Sequence, residues 1–325
     1  MKPPIQEIAE NFYMITLPMP FRLKHVNIFV IVHDGRVALF DTGLNLPETF
    51  SALEASLDAI KQSIKDIDRI FLTHFHADHC GIAGRIKEIS NAVIYMPEIE
   101  YQSMQNYNNV NLWEDRMRVF CIKHGLMGKT ADTISRFFTQ FKTTTAPFEV
   151  DVFLEPQQFI IIGNREFEVI ETPGHTRGHV CFFCREEGIL LSGDHVLPYI
   201  TPNLSPDLFA MDFRPLHSFL DSLTRINDLP VTGVYPAHGL PFSDLDERVE
   251  EIKEHHGHRK ELILDSIKGR PKTAFEVSLD IFGRALPEFD KFLALNETYV
   301  HLIELEKDDL IKQSKRDEKE LFEEI

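Results

Sequence analysis

The sequence has few cysteines and no long hydrophobic run. Four cysteines among 325 residues are too few for the disulfide framework on which small secreted proteins depend. The opening residues, MKPPIQEIAENFY, lack the basic start and apolar run of a secretory signal, so we expect a reducing, cytoplasmic location. No apolar run approaches the roughly 20 residues needed to cross a bilayer, and we therefore predict no membrane partner.

Basic residues are also scarce. Lysine and arginine number 34 against 51 aspartates and glutamates, which gives a formal net charge of -17. A nucleic-acid surface normally needs clustered lysine and arginine to displace counterions. The charge therefore disfavours a nucleic-acid partner, although a local basic groove would still allow one. A small-molecule substrate is the favoured partner, and a homodimer is a further candidate.

The chain is long enough for one large domain with a smaller appendage. Its first part alternates β-type runs with a helical pattern, and the pair Asp34 and Gly35 predicts a hairpin turn. Residues 98–147 break this rhythm and predict a helical insertion. We place a first domain at residues 1–245 and a second, mostly helical domain at residues 246–325, and we expect its last residues, KRDEKELFEEI, to form a solvated helical tail.

The segment FLTHFHADHCG, residues 71–81, crowds polar side chains at the point where a predicted strand ends and a helix begins. In such a loop, His74 and His76 can turn toward one cation while Asp78 and His79 turn toward a second. Two ions need more ligands, and three later residues also end apolar runs beside glycine: His175, Asp194 and His238. These donors favour ligation over chance clustering among the 15 histidines of the chain. The spacing alone does not divide them between the ions.

These segments carry a family resemblance. THFHADH, TPGHTRGHV, SGD and YPAHG, together with FDTG at residues 40–43, resemble the motif series of the metallo-β-lactamase superfamily, and TPGHTRGH is most similar to glyoxalase II. The resemblance implies an α/β fold, a four-layer αββα sandwich with a two-metal site on one edge. It also implies a division of the ligands: His74, His76 and His175 for one ion, Asp78, His79 and His238 for the other, and Asp194 shared. Asp41 would support the histidine loop.

The ligand types and the resemblance together predict a metal-dependent hydrolase. Two ions about 3.5–4 Å apart can share a water and lower its pKa toward neutrality. Imidazole and carboxylate ligands suit two zinc ions, and iron or manganese also fits. We expect a metal-bound hydroxide, oriented by the catalytic residue Asp78, to cleave a thioester, another small acyl ester or a lactone.

Residues near the motifs are predicted to line the substrate cleft or to have no part in it. His179, Tyr199 and Asn203 are predicted to contact the substrate, with a structural role as the alternative for His179. Aromatic side chains of the insertion and of the loop after Asp194 suit an apolar acyl chain or helix packing: Tyr101, Tyr107, Trp113, Phe120, Phe137, Phe138 and Tyr199. Cys181 and Cys184 are expected to be buried thiols on opposite faces of a strand. We expect three histidines to lie on a solvated helix face: His255, His256 and His258.

The C-terminal segment leaves two other functions open. It resembles the winged-helix-like appendage of a subgroup that includes the β-lactamase-like protein 2 group, some members of which look like single-strand RNA nucleases. It replaces the region with which glyoxalase II binds glutathione, so a glutathione thioester is not implied. A phosphodiesterase or ribonuclease is the first alternative. A non-catalytic metal-binding regulator is the second, and the complete set of ligands argues against it.

Overall fold

The computed structural model describes residues 5–127, 133–134 and 144–325. Within them, two sheets lie face to face. The first has seven strands paired in chain order: β1 Ile5–Ala9, β2 Phe12–Pro18, β3 His25–His33, β4 Arg36–Phe40, β5 Ile67–Phe71, β6 Val93–Pro97 and β7 Val152–Leu154. The second has five strands in the order β12-β11-β10-β9-β8: β8 Phe159–Ile162, β9 Arg165–Glu171, β10 Val180–Cys184, β11 Ile189–Gly193 and β12 Gly233–Pro236.

Helices cover both outer faces of the sheets. Those of the first half are α1 Pro47–Ala59, α2 Ala77–Cys80, α3 Ala83–Ser90, α4 Glu98–Asn108 and α5 Val110–Lys123, with a short 3-10 helix at Ile64–Asp66. Those of the second half are α6 Pro215–Asn227, α7 Leu245–Ile267, α8 Ala274–Phe282 and α9 Glu288–Lys307. A hairpin, β13 Ile311–Arg316 and β14 Lys319–Glu324, follows the last helix.

Three apolar cores separate these four layers, because the strands bury both of their faces. In β4, Leu39 packs against the helices outside the first sheet, whereas Phe40 packs between the sheets. In β10, Phe183 faces the outer helices and Phe182 faces the first sheet. Successive side chains of a strand point to opposite faces, so strands that are apolar at nearly every position fit a sheet covered on both sides. The predicted αββα sandwich is confirmed.

Several local predictions are confirmed as well. Asp34 and Gly35 both have positive φ, 48° and 74°, as the two central residues of a tight hairpin turn require. The insertion is helical in α4 and α5, whereas Phe137 and Phe138 lie outside the described residues. Cys181 and Cys184 are buried free thiols and belong to the cores on opposite faces of the second sheet.

Two predictions for the C-terminal segment are wrong. The expected helical tail is the hairpin β13–β14, whose turn residues Asp317 and Glu318 have φ of 48° and 65°. Its charged side chains are exposed or half-buried, whereas Phe322 is fully buried. His256 is also buried, 1% exposed, because it lies on the apolar stripe of α7 with Val249 and Ile252.

One core runs across the predicted domain boundary. Phe183 and Leu190 of the second sheet share it with Val249 and Ile263 of α7 and with Leu302 of α9. The division at residue 245 and the winged-helix-like description of the second part therefore stay predictions. Among the helices in the described residues, none combines the length and the apolar character that a bilayer crossing needs.

We predict that the hairpin is an integral part of the fold. Replacing Phe322 by alanine should lower the free energy of unfolding by about 3–5 kcal/mol, because the fully buried ring would leave a cavity among the C-terminal helices. Equilibrium urea unfolding followed by circular dichroism measures this difference. The control is Phe159→Ala, at a ring that is 54% exposed, which should cost about 1 kcal/mol or less. Equal losses in the two variants would contradict the prediction.

Candidate metal centre

The polar residues singled out from the sequence meet at one edge of the sandwich because the strands before them end there. Asp41 follows β4, and the loop that begins with His74 follows β5, its parallel neighbour. In the second sheet, Asp194 follows β11 and His238 follows β12, which are also parallel neighbours. The carboxyl ends of parallel strands lie at the same edge of a sheet, where open α/β proteins place their ligands.

A first set of possible ligands consists of His74, His76 and His175. The Nδ1 atom of His76 lies 3.1 Å from Nε2 of His74 and 3.0 Å from Nε2 of His175. The Nδ1 atom of His175 donates to the carbonyl oxygen of Asn203 at 3.0 Å. Since a carbonyl oxygen only accepts, that nitrogen holds the ring proton, and Nε2 is left with a lone pair for a cation.

A second set contains Asp78, His79 and His238. Nε2 of His238 lies 3.3 Å from the Oδ2 atom of Asp78, and Nε2 of His79 lies 3.9 Å from the same oxygen. The opposite ring nitrogens again donate to oxygen atoms: Nδ1 of His79 to Asp41 at 2.8 Å and Nδ1 of His238 to the carbonyl of His25 at 2.8 Å. Because the Nδ1 atoms are engaged in this way, Nε2 of each histidine faces the interior of the set and is the atom available to a cation.

Asp194 lies between the two sets. Its Oδ1 atom is 3.5 Å from Nε2 of His79 and 3.3 Å from Nε2 of His238. Its Oδ2 atom is 3.5 Å from Nε2 of His175. One carboxylate thus faces both sets, each with its own oxygen, which is the arrangement that a shared ligand requires.

The residues fit metal ions because they leave buried polar atoms without partners. In the described part of the chain, Nε2 of His79, Oδ1 of Asp194 and Nε2 of His238 are buried and accept no hydrogen bond. Burying such atoms unsatisfied is costly, and all three face one another. A cation among them would satisfy the three atoms at once.

Burial and the short distances between these groups set the protonation states of the side chains at the site. Burial lowers the pKa of His76 to about 3, and burial together with the neighbouring imidazoles also lowers the pKa of His74, so both stay neutral, as ligands must. Burial opposes ionisation of Asp194, but His238 and His79 hold its pKa well below the usual value. Burial likewise disfavours the charged form of His79, but nearby carboxylates, Asp194 first, raise its pKa. A cation in the second set therefore displaces a proton.

Asp41 makes the contacts that its predicted supporting role requires. Its Oδ1 atom accepts from the backbone N–H of Thr73 at 2.9 Å, and its Oδ2 atom accepts from His79 at 2.8 Å. Asp41 itself has φ of 60°, a left-handed conformation that aspartate tolerates better than most residues. The carboxylate thereby holds both the start of the histidine loop and one of its rings.

The three residues predicted to contact the substrate have different positions. His179 is fully buried behind the ligands, where Nε2 accepts from the backbone N–H of Asp194 at 3.2 Å and Nδ1 donates to Thr172 at 2.8 Å. This position, outside the described walls of both cavities beside the histidines, fits the structural alternative, and the substrate contact stays a prediction. Tyr199 is 74% exposed and is absent from the described walls of the two cavities beside the histidines. Asn203 lines one of them.

Two cavities open beside the first set, with volumes of about 170 Å³ and about 540 Å³. His76 and His175 belong to the walls of both. We call the second the large cavity, and Asp78 lies in its wall as well. Its apolar lining comes from four parts of the chain: Met19, Phe21, Leu23, Phe75, Ala77, Met104, Tyr107, Phe289, Phe292 and Leu293. Of the predicted aromatic wall residues, Tyr107 lines both cavities and Trp113 lines the small one.

The sequence analysis missed Glu100, which is fully buried in the first turn of α4. Its Oε2 atom accepts from the backbone N–H of Phe75 at 3.0 Å, and its Oε1 atom accepts from that of Gly178 at 2.6 Å. Burial raises its pKa to about 7, and these hydrogen bonds partly offset that effect. Only its position could have indicated a role from the sequence: it follows the carboxyl end of β6, at the same edge of the sheet as the histidine loop.

Comparisons with known proteins agree with this geometry. The family model described as the metallo-beta-lactamase superfamily matches residues 22–238. The probable metallo-hydrolase YqjP of Bacillus subtilis is 28% identical over 310 residues, which cover 93% of this chain and 94% of that protein. A beta-lactamase-like protein 2 homolog of Caenorhabditis elegans is 25% identical, with coverage of 95% and 88%.

A solved structure and a more distant relative extend these findings. The crystal structure of a metallo-β-lactamase family protein from Thermus thermophilus matches with a TM-score of 0.87 at 29% identity, over 98% of this chain and 100% of that one. An atrochrysone carboxyl ACP thioesterase of Passalora fulva is 22% identical, with coverage of 86% and 69%. The family match confirms the predicted class of enzyme, a metal-dependent hydrolase. The chain, with its two-sheet sandwich and its motifs on one edge, belongs to the metallo-β-lactamase superfamily.

Proposed function

We propose that the protein is a dinuclear zinc hydrolase that cleaves a thioester, or another small ester or lactone, of an apolar acyl group. One observation carries this proposal: the large cavity, about 540 Å³ and mostly apolar in its lining, has His76, Asp78 and His175 in its wall. An apolar pocket with a few convergent polar groups is the usual form of a small-molecule site. The relative from Passalora fulva, named as a carrier-protein thioesterase, supports the same class of substrate.

The ligand assignment follows the two sets and the position of Asp194 between them. The first ion would be held by His74, His76 and His175, the second by Asp78, His79 and His238, and Asp194 would bridge them. Ions so held lower the pKa of a bound water and polarise a carbonyl group. Imidazole and carboxylate donors favour zinc, and iron or manganese suits the same ligand types.

The protein's own groups orient the reactants. Asp78 belongs both to the second set and to the wall of the large cavity. Burial raises its pKa, but His79 and His238 more than offset this and hold the pKa at about 2. Its carboxylate is therefore ionised at neutral pH and can accept a hydrogen bond from the attacking water, which would aim that water at the acyl carbon.

The cavity wall selects the acyl chain. Met104 of the insertion and Leu293 of α9 contribute apolar surface to this wall. Each methylene that leaves water for such a wall contributes about 0.8 kcal/mol to binding. This corresponds to about a fourfold gain in affinity for each carbon that the cavity can hold.

The positive side chains in the cavity walls are already paired with acidic residues, which argues against a phosphodiester substrate. In the described residues, the arginines of the cavity walls are Arg22 and Arg177. Arg22 pairs with Asp290 at 3.3 Å, and Arg177 pairs with Asp207 at 3.5 Å. Paired charges of this kind attract a polyanion weakly, and the net charge of -17 opposes its approach.

The first experiment is a substrate panel with the zinc-loaded protein. Acyl thioesters and p-nitrophenyl esters of increasing chain length, a lactone and bis-p-nitrophenyl phosphate are assayed side by side. We expect kcat/KM for the acyl substrates to rise about fourfold for each added methylene until the cavity is full, and a chelator should abolish turnover. Turnover of the phosphodiester alone would overturn the proposal and favour the phosphodiesterase alternative.

Filling the large cavity should shorten the preferred chain. In Leu293→Trp, the larger side chain occupies space that the acyl chain would use, so the optimum moves to shorter substrates while the shortest ester is cleaved at a similar rate. Leu310→Trp is the matched control, since Leu310 is 52% exposed and lines neither cavity in the described residues. An unchanged chain-length optimum in Leu293→Trp would show that the acyl group binds elsewhere.

Asp78→Ala should reduce kcat by at least about 10²-fold, the usual contribution of a positioned acid or base. The fold should be retained, because the side chain lies at the cavity wall and outside the apolar cores. Steady-state rates of the metal-saturated variant measure the effect, with circular dichroism as the test of folding. Asp58→Ala, at an exposed position of α1, is the control. A folded, metal-saturated and fully active Asp78→Ala protein would refute the role proposed for Asp78.

Glu100→Gln tests whether the carboxylate positions the ligand loops. One of its oxygens holds Phe75, between His74 and His76, and the other holds Gly178 in the loop after His175. The amide group of glutamine would turn a donor toward one of these N–H groups. Groups that orient metal ligands typically contribute 10–100-fold to affinity, so we expect a loss of about that size in zinc affinity, measured by competition with a chelator. Glu98→Gln, exposed on the same helix, should bind zinc normally, and equal affinities would contradict the prediction.

A further inference from the structure

A second group of metal-type side chains lies between two C-terminal helices, away from the site described above. It consists of His256 on α7 and of Glu297 and His301 on α9. All three are buried, with exposed fractions of 1%, 7% and 0%. One potential ligand atom from each side chain lies within 4.8 Å of the others. We call these three residues the helix cluster.

The hydrogen bonds of the helix cluster determine which ring nitrogens are free. Nδ1 of His301 donates to the carbonyl oxygen of Glu297 at 2.7 Å, so Nε2 of His301 has a lone pair. That nitrogen lies 3.0 Å from Nδ1 of His256. The Oε1 atom of Glu297 is 4.0 Å from Nδ1 of His256. Two nitrogens and one carboxylate oxygen therefore converge from two helices.

Hydrogen bonds within the helix cluster leave some of its buried polar atoms without partners. If Nδ1 of His256 donates to His301, then Nε2 of His256 and Oε1 of Glu297 are both buried acceptors without a partner, as the described residues show. Burial raises the pKa of Glu297 to about 7 and lowers the pKa values of His256 and His301 to about 2 and about 3. In the described part of the chain, no lysine or arginine forms a salt bridge with Glu297. Arg259 lowers the pKa of Glu297 from a distance, but no salt bridge from the described lysines and arginines stabilises the charge of this buried carboxylate directly.

We propose that His256, Glu297 and His301 bind a divalent transition-metal ion of the zinc type, as a third metal site with a structural role. Two imidazoles and one glutamate form a ligand set that zinc accepts, with one coordination position left for water. The ion would be held by Nδ1 of His256, Nε2 of His301 and the otherwise unpartnered Oε1 of Glu297, and it would place positive charge in direct contact with that carboxylate. This site is independent of the function proposed for the edge of the sandwich.

The helix cluster also connects to the loop that orients His175. The second oxygen of Glu297 accepts from the backbone N–H of Leu204 at 3.3 Å. The carbonyl of the preceding residue, Asn203, accepts from Nδ1 of His175. An ion bound by the helix cluster would therefore fix α7, α9 and the 203–204 segment relative to one another, and would stabilise the position of His175.

A cavity borders the helix cluster at His256. It has a volume of about 260 Å³ and includes His256 in its wall, together with Lys253 and Lys260. Both lysines are paired with acidic groups, Lys253 with Glu250 at 2.8 Å and Lys260 with Asp308 at 3.1 Å. Their charges are thus largely compensated.

Metal content distinguishes this site from the dinuclear one. Wild type, His256→Gln, His301→Gln and Glu297→Gln are saturated with zinc, separated from free zinc by gel filtration and analysed for zinc per chain. We expect each variant to hold about one zinc fewer than wild type, with circular dichroism as the test of folding. Glu297→Gln keeps the shape of the side chain and removes its charge, so it is the variant most compatible with folding. His255→Gln, on the neighbouring exposed position, is the control and should match wild type.

Equal zinc content in wild type and in the folded variants would overturn the proposal, because the cluster would then be a hydrogen-bonded group only. A second measurement does not depend on variant folding. Crystals of the wild-type protein grown with zinc are measured on both sides of the zinc absorption edge. An anomalous peak among His256, Glu297 and His301 supports the site, and a map with peaks at the sandwich edge but none at the helix cluster rejects it.

Discussion

The buried carboxylate of Asp194 is the interaction on which the rest of the polar edge depends. Its two oxygens face different sets of imidazoles, and its backbone N–H donates to His179. A carboxylate in this position is stabilised only if positive charge gathers around it. The raised pKa of His79 reflects the same demand, since the nearby carboxylates, Asp194 first, favour positive charge on its ring.

The backbone before Asp194 explains why the motif SGD is needed. Gly193 has φ of 50°, and a Cβ atom there would lie 2.7 Å from Nε2 of His179. A side chain would push away the ring that accepts the N–H of Asp194. The glycine therefore permits the close approach between β11 and His179 that sets the direction of the carboxylate. His179 contributes to the chemistry through this contact, which is consistent with its complete burial.

The sequence pointed to the candidate ligands that the structure brings together because each ends an apolar run or belongs to a recognisable motif. The face that a side chain presents was harder to predict. Tyr199 follows Asp194 by only five positions, yet its ring points to solvent, since a loop without regular structure has no period from which direction can be read. Glu100 was missed for the opposite reason: a glutamate in the first turn of a helix is ordinary, and only the fold brings it to two loops distant in sequence.

In the C-terminal segment, too, the sequence did not show which side chains are buried. This segment also links the two proposed sites. Its charges suggested a solvated helix end, but the charged residues of β14 flank a single buried ring, Phe322, and helical periodicity in α7 buries His256. Along α9, Phe292 and Leu293 line the large cavity, and Glu297 lies one turn further on, where its carboxylate holds Leu204. A single helix therefore lines the large cavity and also supports the segment that accepts the hydrogen bond of His175. Because α9 shares a core with the second sheet, a shift of this helix would alter the large cavity and the first set of histidines together.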